Sequence, residues 1–141
     1  MTENAQRRRS RLVLADDHQD ILDEVRHLLA FEFDVLCTVA EGNALIQAVA
    51  ELRPDAVISD LQMVGLGGIE AGGQILRRGL CNAVIVLTMF NEPHLVGKAL
   101  QAGIRGYVLK VDASEELIPA IHAVLAGGNY LSRGVLEKWR E

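Results

Sequence analysis

Five side chains that could do chemistry stand where apolar, strand-like runs of the sequence end. Asp16 and Asp17 follow one run, and Asp60 follows another. Thr88 ends a third run, and Lys110 follows a fourth. Ligands of an open parallel sheet bind outside the carboxyl ends of its strands, so these five residues are predicted to meet at one edge of a sheet.

The residue types at this edge point to phosphoryl chemistry. Three carboxylates held together repel one another and raise one another's pKa, and a hard divalent cation removes that repulsion. Oxygen ligands completed by water suit Mg²⁺. With Lys110 as a second positive charge and Thr88 as a hydroxyl donor, a carboxylate could attack phosphorus while its oxygens are neutralised.

The elements that must position these residues alternate along the chain. Apolar runs are separated by amphipathic segments of helical period, which predicts five strand–helix units. The predicted strands cover residues 11–15, 33–40, 56–59, 83–88 and 106–109, and the predicted helices cover 20–30, 42–52, 67–78, 92–102 and 115–126. This alternation favours an α/β fold, a doubly wound five-stranded parallel sheet with helices on both faces, in three layers.

The composition limits the classes of function. The chain has 141 residues, 50% hydrophobic and 4% aromatic, which predicts one domain with an aliphatic core. Its net charge of −5 argues against this segment binding nucleic acid by itself. No apolar run reaches the ~20 residues that span a membrane and no signal peptide is recognisable, so a cytoplasmic location is expected. Cys37 and Cys81 are predicted to be free, reduced thiols.

Four motifs give the sequence a family resemblance. LADDH, ISDLQM, VLTM and GYVLK occur in this order with suitable spacing. With them, residues 11–131 resemble a response-regulator receiver domain of two-component signalling, and residues 83–132 are similar in particular to the NarL/FixJ (LuxR-type) branch. The resemblance implies a flavodoxin-like sheet with strand order 2-1-3-4-5, and a signalling switch that is not an enzyme.

The resemblance also implies how phosphate and metal would be held. Asp60 would accept a phosphoryl group from a sensor histidine kinase. Asp17, Asp60 and the backbone carbonyl of Gln62 would ligate Mg²⁺, and Asp16 would help through a water molecule.

Other residues are implied to read or tune the phosphorylated state. Thr88 and Lys110 would contact the phosphoryl oxygens. Tyr107 matches the switch aromatic that turns inward when Thr88 moves, although an ordinary, partly exposed strand tyrosine is the alternative. Gln62 and Phe90, each two positions after a site residue, would tune the lifetime of the phosphate.

The resemblance places the output outside this chain. Phosphorylation would switch the face formed by residues 92–102, 106–109 and 114–126, favour a homodimer and control transcription. DNA binding would belong to a C-terminal helix-turn-helix domain that the sequence does not include. Residues 1–10 are predicted to be a disordered tail, 11–128 the receiver domain and 129–141 the start of a linker. This linker-like ending favours a shortened chain over a stand-alone receiver.

Three features depart from the family pattern. Proline is usual in receivers where Val64 stands, and many have proline where Val111 stands. Without proline, the Lys110–Val111 peptide is predicted to be trans. The helix over 67–78 contains Gly72-Gly73, and each interior glycine costs about 1 kcal/mol of helix propensity relative to alanine. That helix is therefore expected to be short, irregular or mobile.

Two other functions stay open at this point. A pseudo-receiver, which would be a dimerisation or interaction module that never takes phosphate, is suggested by Val64 and the glycine-rich helix, although the five site residues are intact. A phosphohydrolase of another α/β family would carry its nucleophile after the first strand with a second Asp two residues on, and Asp16-Asp17 has the wrong spacing. His18, beside the acidic pair, is interpreted as a helix-start residue.

Overall fold

The computed structural model describes residues 9–139, which build a sheet of six parallel strands in the order β2-β1-β3-β4-β5-β6. The strands are β1 (Arg11–Ala15), β2 (Asp34–Val39), β3 (Ala56–Ser59), β4 (Val84–Thr88), β5 (Gly106–Leu109) and β6 (Tyr130–Leu131). The helices are α1 (Gln19–Leu29), α2 (Gly42–Leu52), α3 (Gly68–Arg77), α4 (Pro93–Gln101), α5 (Ala113–Leu125) and α6 (Arg133–Trp139). A 3-10 turn, Lys110–Asp112, leads into α5. The predicted fold and strand order 2-1-3-4-5 are confirmed, with one additional strand.

Side chains of the strands alternate between two apolar layers, one on each face of the sheet. Along β1, Leu12 and Leu14 belong to the layer that contains α1 and α5, whereas Val13 and Ala15 belong to the layer of α2, α3 and α4. β3 and β4 are buried over their whole length, as parallel strands covered on both faces must be. Because helices cover both faces, functional side chains converge at the carboxyl ends of the strands.

Helix α3 departs most from its predicted form. It is a regular helix of 10 residues beside an α4 of 9, so the expectation that it is short or irregular is wrong. A Cβ at Gly72 would lie 3.0 Å from Ile104 Cδ1 and 3.1 Å from Val84 Cγ1, so glycine lets the helix pack closely on the sheet. Tertiary packing therefore offsets the low helix propensity. Faster amide exchange in α3 than in α4 stays a prediction.

Residues 130–139, which follow the predicted end of the domain at residue 128, add a strand and a helix to the fold. β6 pairs with β5 over two residues, and Val135 of α6 is fully buried in the layer of α2, α3 and α4. A strand of two residues is too short to leave a periodic pattern, which is why the sequence does not predict it. The described part of the predicted linker is thus packed on the domain.

Several smaller expectations also meet the structure. The Lys110–Val111 peptide is trans, as predicted. Cys37 and Cys81 carry free thiols, as predicted. Residues 1–8 of the predicted disordered tail lie outside the described residues. Within residues 9–139, every helix is too short or too polar to cross a membrane.

Candidate functional site

Two buried carboxylates and one lysine form the centre of the site. Asp16 follows β1 and Asp60 follows β3; these strands are neighbours in the sheet, and the Asp60 N–H donates to the Ala15 carbonyl at 2.9 Å. Asp16 is 3% exposed and Asp60 is 4% exposed. Lys110, after β5, places its Nζ 2.8 Å from Oδ2 of Asp16 and 3.5 Å from Oδ2 of Asp60. The sheet topology therefore brings the ends of three strands together.

Asp17 and His18 form the exposed side of the same pocket. The His18 ring Nδ1 lies 2.9 Å from Oδ1 of Asp17 and 3.0 Å from Oδ1 of Asp16. His18 is also the N-cap residue of α1, as its interpretation as a helix-start residue requires. Its contact with both carboxylates is missed by sequence reasoning, although its position directly after the acidic pair is the signal that could have found it.

The charge on Asp60 is unfavourable in this arrangement. Burial raises the pKa of its carboxyl above the ordinary value of 3.8, and the Asp16 carboxylate raises this pKa further. The Lys110 ammonium lowers the pKa, as do the Leu61 N–H, which donates to Oδ1 at 2.8 Å, and the Thr88 hydroxyl. These contacts do not cancel the rise. A cation bound beside Asp60 would therefore stabilise its ionised, nucleophilic form.

The donor set fits a hard divalent cation. Asp16, Asp17 and Asp60 each offer a carboxylate oxygen, the His18 ring nitrogen lies beside them, and these four atoms lie within 4.8 Å of one another. Bonds of about 2.1 Å in octahedral geometry separate the ligands of Mg²⁺ by roughly 3 to 4 Å. The acidic pocket thus has the charge and the spacing to hold Mg²⁺.

A set of contacts extends from beside Asp60 into the loop after β4. Thr88 is fully buried; its hydroxyl lowers the pKa of Asp60 and accepts the Phe90 N–H at 3.3 Å. The Tyr107 hydroxyl donates to the Phe90 carbonyl at 2.6 Å. Tyr107 is 1% exposed, so the alternative of a partly exposed strand tyrosine is wrong and the ring lies in the inward position. Burial raises the pKa of the Tyr107 phenol, which keeps it a neutral donor.

The loop between β3 and α3 borders the site on the other side. Val64 forms an isolated parallel bridge with Glu41, so the loop is fixed there without proline. The Gln62 side chain is exposed, and Phe90 is half-buried; both line one groove beside Leu61. This placement is compatible with the predicted effect of Gln62 and Phe90 on access to Asp60.

Residues 12–122 match the family model described as response regulator receiver domain. The chain belongs to this receiver family. Its parallel sheet is therefore that of a receiver domain, a signalling switch and not an enzyme.

Known proteins similar to this receiver place it on the predicted branch. The response regulator GacA of Pseudomonas aeruginosa is 31% identical over 131 residues, 91% of this chain and 61% of GacA. A two-component response regulator of the LuxR family from Aurantimonas sp. SI85-9A1 has a TM-score of 0.86 at 31% identity, covering 95% of this chain and 100% of that chain. The predicted NarL/FixJ (LuxR-type) branch is confirmed.

A third relative links the receiver fold to phosphorylation and to DNA. The isolated receiver domain of RcsB from Salmonella enterica serovar Typhimurium, solved with the phosphomimetic BeF3−, has a TM-score of 0.83 at 29% identity, covering 92% of this chain and 98% of that chain. RcsB has also been solved as a complex with DNA, and the receiver covers 67% of that longer chain. The receiver spans about three fifths of the length of the curated relatives that it matches.

Proposed function

We propose that this receiver is a phosphorylation-activated switch in which Asp60 accepts a phosphoryl group from a sensor histidine kinase. The observation that carries the proposal is the meeting of Asp60 with two further carboxylates and the Lys110 ammonium, which lies 3.5 Å from Asp60 and 2.8 Å from Asp16. A carboxylate placed among these groups is suited to attack phosphorus. The phosphorylated form of RcsB's receiver is the one that BeF3− imitates, which supports the same chemistry here.

The residues of the pocket divide the work of phosphoryl transfer. One carboxylate oxygen of Asp60 forms the bond to phosphorus while the bond from phosphorus to the kinase histidine nitrogen breaks, and that nitrogen keeps the electron pair. Lys110 and the Thr88 hydroxyl face the oxygens that gain negative charge. Asp16, Asp17, Asp60 and the backbone carbonyl of Gln62 would hold Mg²⁺, with Asp16 acting through water. When bound, Mg²⁺ supplies further positive charge to the transferred group.

Phosphorylation is then read by the contacts around Thr88. The Phe90 N–H donates to Thr88, and the Phe90 carbonyl accepts from Tyr107. A movement of Thr88 toward the phosphoryl group would therefore displace Phe90 and, through it, Tyr107. These residues lie beside the face of α4, β5 and α5, which we propose as the surface that switches. Gln62 and Phe90 would set how fast water reaches the phosphoryl group.

The output of the switch is proposed from the relatives. GacA is a response regulator, and RcsB binds DNA as a longer chain than this one. We therefore assign transcriptional control to the full protein, through a homodimer formed on activation and a C-terminal helix-turn-helix domain. The net charge of −5 is consistent with DNA binding by another segment than this one.

Incubation with Mg²⁺ and a small phosphodonor, followed by intact mass, tests the proposal. The wild-type chain is expected to gain the mass of one phosphoryl group, and Asp60→Asn none. Asp23→Asn is the matched control, because Asp23 is an exposed carboxylate on α1 outside the pocket, and it is expected to gain phosphate normally. Equal labelling of Asp60→Asn and wild type would contradict the proposal.

One observation favours a second candidate function. Tyr107 is fully buried and its hydroxyl donates to the Phe90 carbonyl at 2.6 Å, which fixes the ring in one position. A pseudo-receiver that is held permanently in one state, acting as a dimerisation or interaction module, would have this property. Absence of phosphate on the wild-type chain, together with a stable dimer, would favour this candidate over the first.

A further inference from the structure

Four residues fasten the C-terminal segment, residues 130–139, to two loops beside the phosphoryl site. Asn91 Nδ2 donates to the Gly134 carbonyl at 2.9 Å, and the Gly134 N–H donates to Oδ2 of Asp112 at 3.0 Å. The same oxygen of Asp112 accepts the Ser132 hydroxyl at 2.7 Å. We name Asn91, Asp112, Ser132 and Gly134 the Gly134 junction. Both polar groups of the Gly134 backbone are thus held by side chains of the loops.

The first of these loops leads directly to Thr88. Asn91 is three residues after Thr88, and the N–H of the intervening Phe90 donates to the Thr88 hydroxyl. The Phe90 carbonyl is held in turn by Tyr107. Because these contacts make residues 88–91 one connected unit, a displacement of Thr88 changes where Asn91 meets the Gly134 carbonyl.

The second loop leads directly to Lys110. Asp112 is two residues after Lys110, and both belong to the same 3-10 turn. The Ser132 hydroxyl, which donates to Asp112, also accepts the Leu109 N–H at 3.1 Å. A movement of Lys110 toward a phosphoryl oxygen is therefore transmitted to the carboxylate that holds the Gly134 N–H. The two groups that would face the phosphoryl group lead to the same residue, Gly134, by separate routes.

The Gly134 junction also contains a feature that allows α6 to leave its docked position. Ser132 is fully buried, and α6 contacts β5 and α4 next to it. Oδ1 of Asn91 is buried and has no hydrogen-bond partner among residues 9–139. A buried oxygen without a partner disfavours the arrangement that contains it. A rearrangement that gave this oxygen a partner would therefore offset part of the free energy needed to leave the present arrangement. The junction thus has a second arrangement within reach, as a two-state element requires.

We propose that the Gly134 junction couples phosphorylation of Asp60 to the docking of α6. The inference rests on the proposed function, because it needs a phosphoryl group on Asp60. When Thr88 and Lys110 turn to the phosphoryl oxygens, Asn91 and Asp112 loosen their hold on Gly134. α6 then separates from β5 and α4, and the direction of the chain after Ser132 changes. Asn91 acts as a positioning residue in this step.

The only tryptophan of the chain, Trp139, lies at the end of α6 and reports on this movement. Addition of Mg²⁺ and BeF3− to the wild-type chain is expected to raise the quenching of Trp139 fluorescence by acrylamide. Asn91→Ala is expected to show the raised quenching before addition and to lose the response. Asn82→Ala is the matched control, since Asn82 is exposed in the loop before β4 at the opposite edge of the sheet, and it should respond as wild type.

Hydrogen exchange of the wild-type α6 amides, measured with and without BeF3−, keeps the test independent of whether the variant folds. Faster exchange in α6 on addition supports the proposal. If phosphate is found on Asp60 by intact mass while Trp139 and the α6 amides do not change, the coupling is overturned and the proposed function stands. A response of Asn91→Ala equal to wild type overturns it as well. Failure of Asp60 to take phosphate overturns both, and the mass measurement separates that outcome from the others.

Discussion

The two sides of the acidic pocket are built in different ways. On the α3 side, backbone lies against backbone: a Cβ at Gly68 would be 1.9 Å from the Asp60 carbonyl oxygen, and one at Gly42 would be 2.1 Å from the Leu66 carbonyl oxygen. At the Gly134 junction, a Cβ on Gly134 would instead meet side chains, Leu109 Cδ1 at 2.6 Å and Asp112 Oδ2 at 3.1 Å.

This difference indicates which side is fixed and which can move. Peptide groups in contact cannot give way without moving a strand or a helix, so the α3 side holds Asp60 in place. Side chains can change rotamer and exchange hydrogen-bond partners, so the Gly134 junction can take a second arrangement. Asp60, as a nucleophile, needs a fixed position. The Gly134 junction, which would respond to phosphorylation, needs to be able to rearrange.

The largest expected effect comes from Gly68→Ala. The added methyl group would overlap the Asp60 carbonyl oxygen, which sits only 1.9 Å from the ideal Cβ position, so α3 or the Asp60 turn must shift. We expect the free energy of unfolding to fall by roughly 3 kcal/mol, the upper range for overpacking. Urea denaturation measures it, and phosphate uptake should fall in the same variant because Asp60 is displaced.

Two glycine variants sharpen this test. At Gly97, in α4, an added Cβ meets nothing within 4 Å, so Gly97→Ala should stabilise by about 0.5–1 kcal/mol through helix propensity. At Gly134 the obstructing atom is the end of the Leu109 side chain, so Gly134→Ala should cost only about 1 kcal/mol. Equal losses at Gly68 and Gly134 would remove the distinction between a fixed and an adjustable side.

Asp60→Asn should stabilise the fold, because the charge that the chemistry needs is unfavourable in the native state. Burial and Asp16 raise the Asp60 pKa, so the folded state binds this proton more tightly than the unfolded state does. Below about pH 3.8 both states of the wild type are protonated, and the variant gains little. As the pH rises through the folded-state pKa, the wild type loses stability, so the gain should grow to roughly 1–2 kcal/mol near pH 7.

Thermal unfolding of both chains between about pH 4 and pH 8, without divalent cations, measures this gain. Asp23→Asn serves as the control, because an exposed carboxylate should show no such trend. A gain that shrinks as the pH rises would contradict the assignment of an unfavourable charge to Asp60.

Ser132→Ala tests the strength of the Gly134 junction. The change removes the donor to Asp112 and leaves the Leu109 N–H, which now donates to Ser132 at 3.1 Å, without its acceptor. A lost buried hydrogen bond of this kind costs roughly 1–3 kcal/mol. Urea denaturation should show this loss, whereas Ser114→Ala, at an exposed position in α5, should change stability little. An undiminished stability of Ser132→Ala would mean that the junction contributes nothing to the fold.

The smallest expected effect is on Mg²⁺ affinity in His18→Ala. The His18 ring nitrogen occupies oxygens of Asp16 and Asp17 that a cation would need, so its removal should tighten Mg²⁺ binding. A single exposed hydrogen-bonding partner is worth roughly a two- to threefold change in Kd. Calorimetric titration measures the Kd, with His27→Ala on the outside of α1 as the control. Weaker binding in His18→Ala would instead make the ring a ligand of the ion.

The sequence predicts the positions of residues at the ends of strands, but it does not predict features that depend on tertiary packing. Asp16, Asp60 and Lys110 could be placed because a parallel sheet brings the carboxyl ends of its strands to one edge, whatever the details of packing. The regular form of α3 could not be predicted, because helix propensity penalises Gly72. The contact with Val84 that offsets this penalty exists only in the folded state.

The contacts of residues 130–139 were beyond prediction for a different reason. Residues 130–139 are held by hydrogen bonds to Asn91 and Asp112, which lie more than twenty positions away from Gly134 in the sequence. Such contacts leave no periodic pattern in the sequence. The His18 ring contacts depend on a rotamer, which a sequence does not specify. The roles of the site residues in phosphate transfer stay predictions that the experiments above test.

The short strand β6 has a consequence for the solubility of the domain. β6 occupies the outer edge of β5, a strand of sequence GYVL whose free N–H and C=O groups would otherwise line the border of the sheet. Apolar edge strands are templates for pairing between molecules, and proteins commonly cover them. A chain cut at residue 128 would leave this border open, and it should self-associate where the chain that continues to Trp139 stays monodisperse.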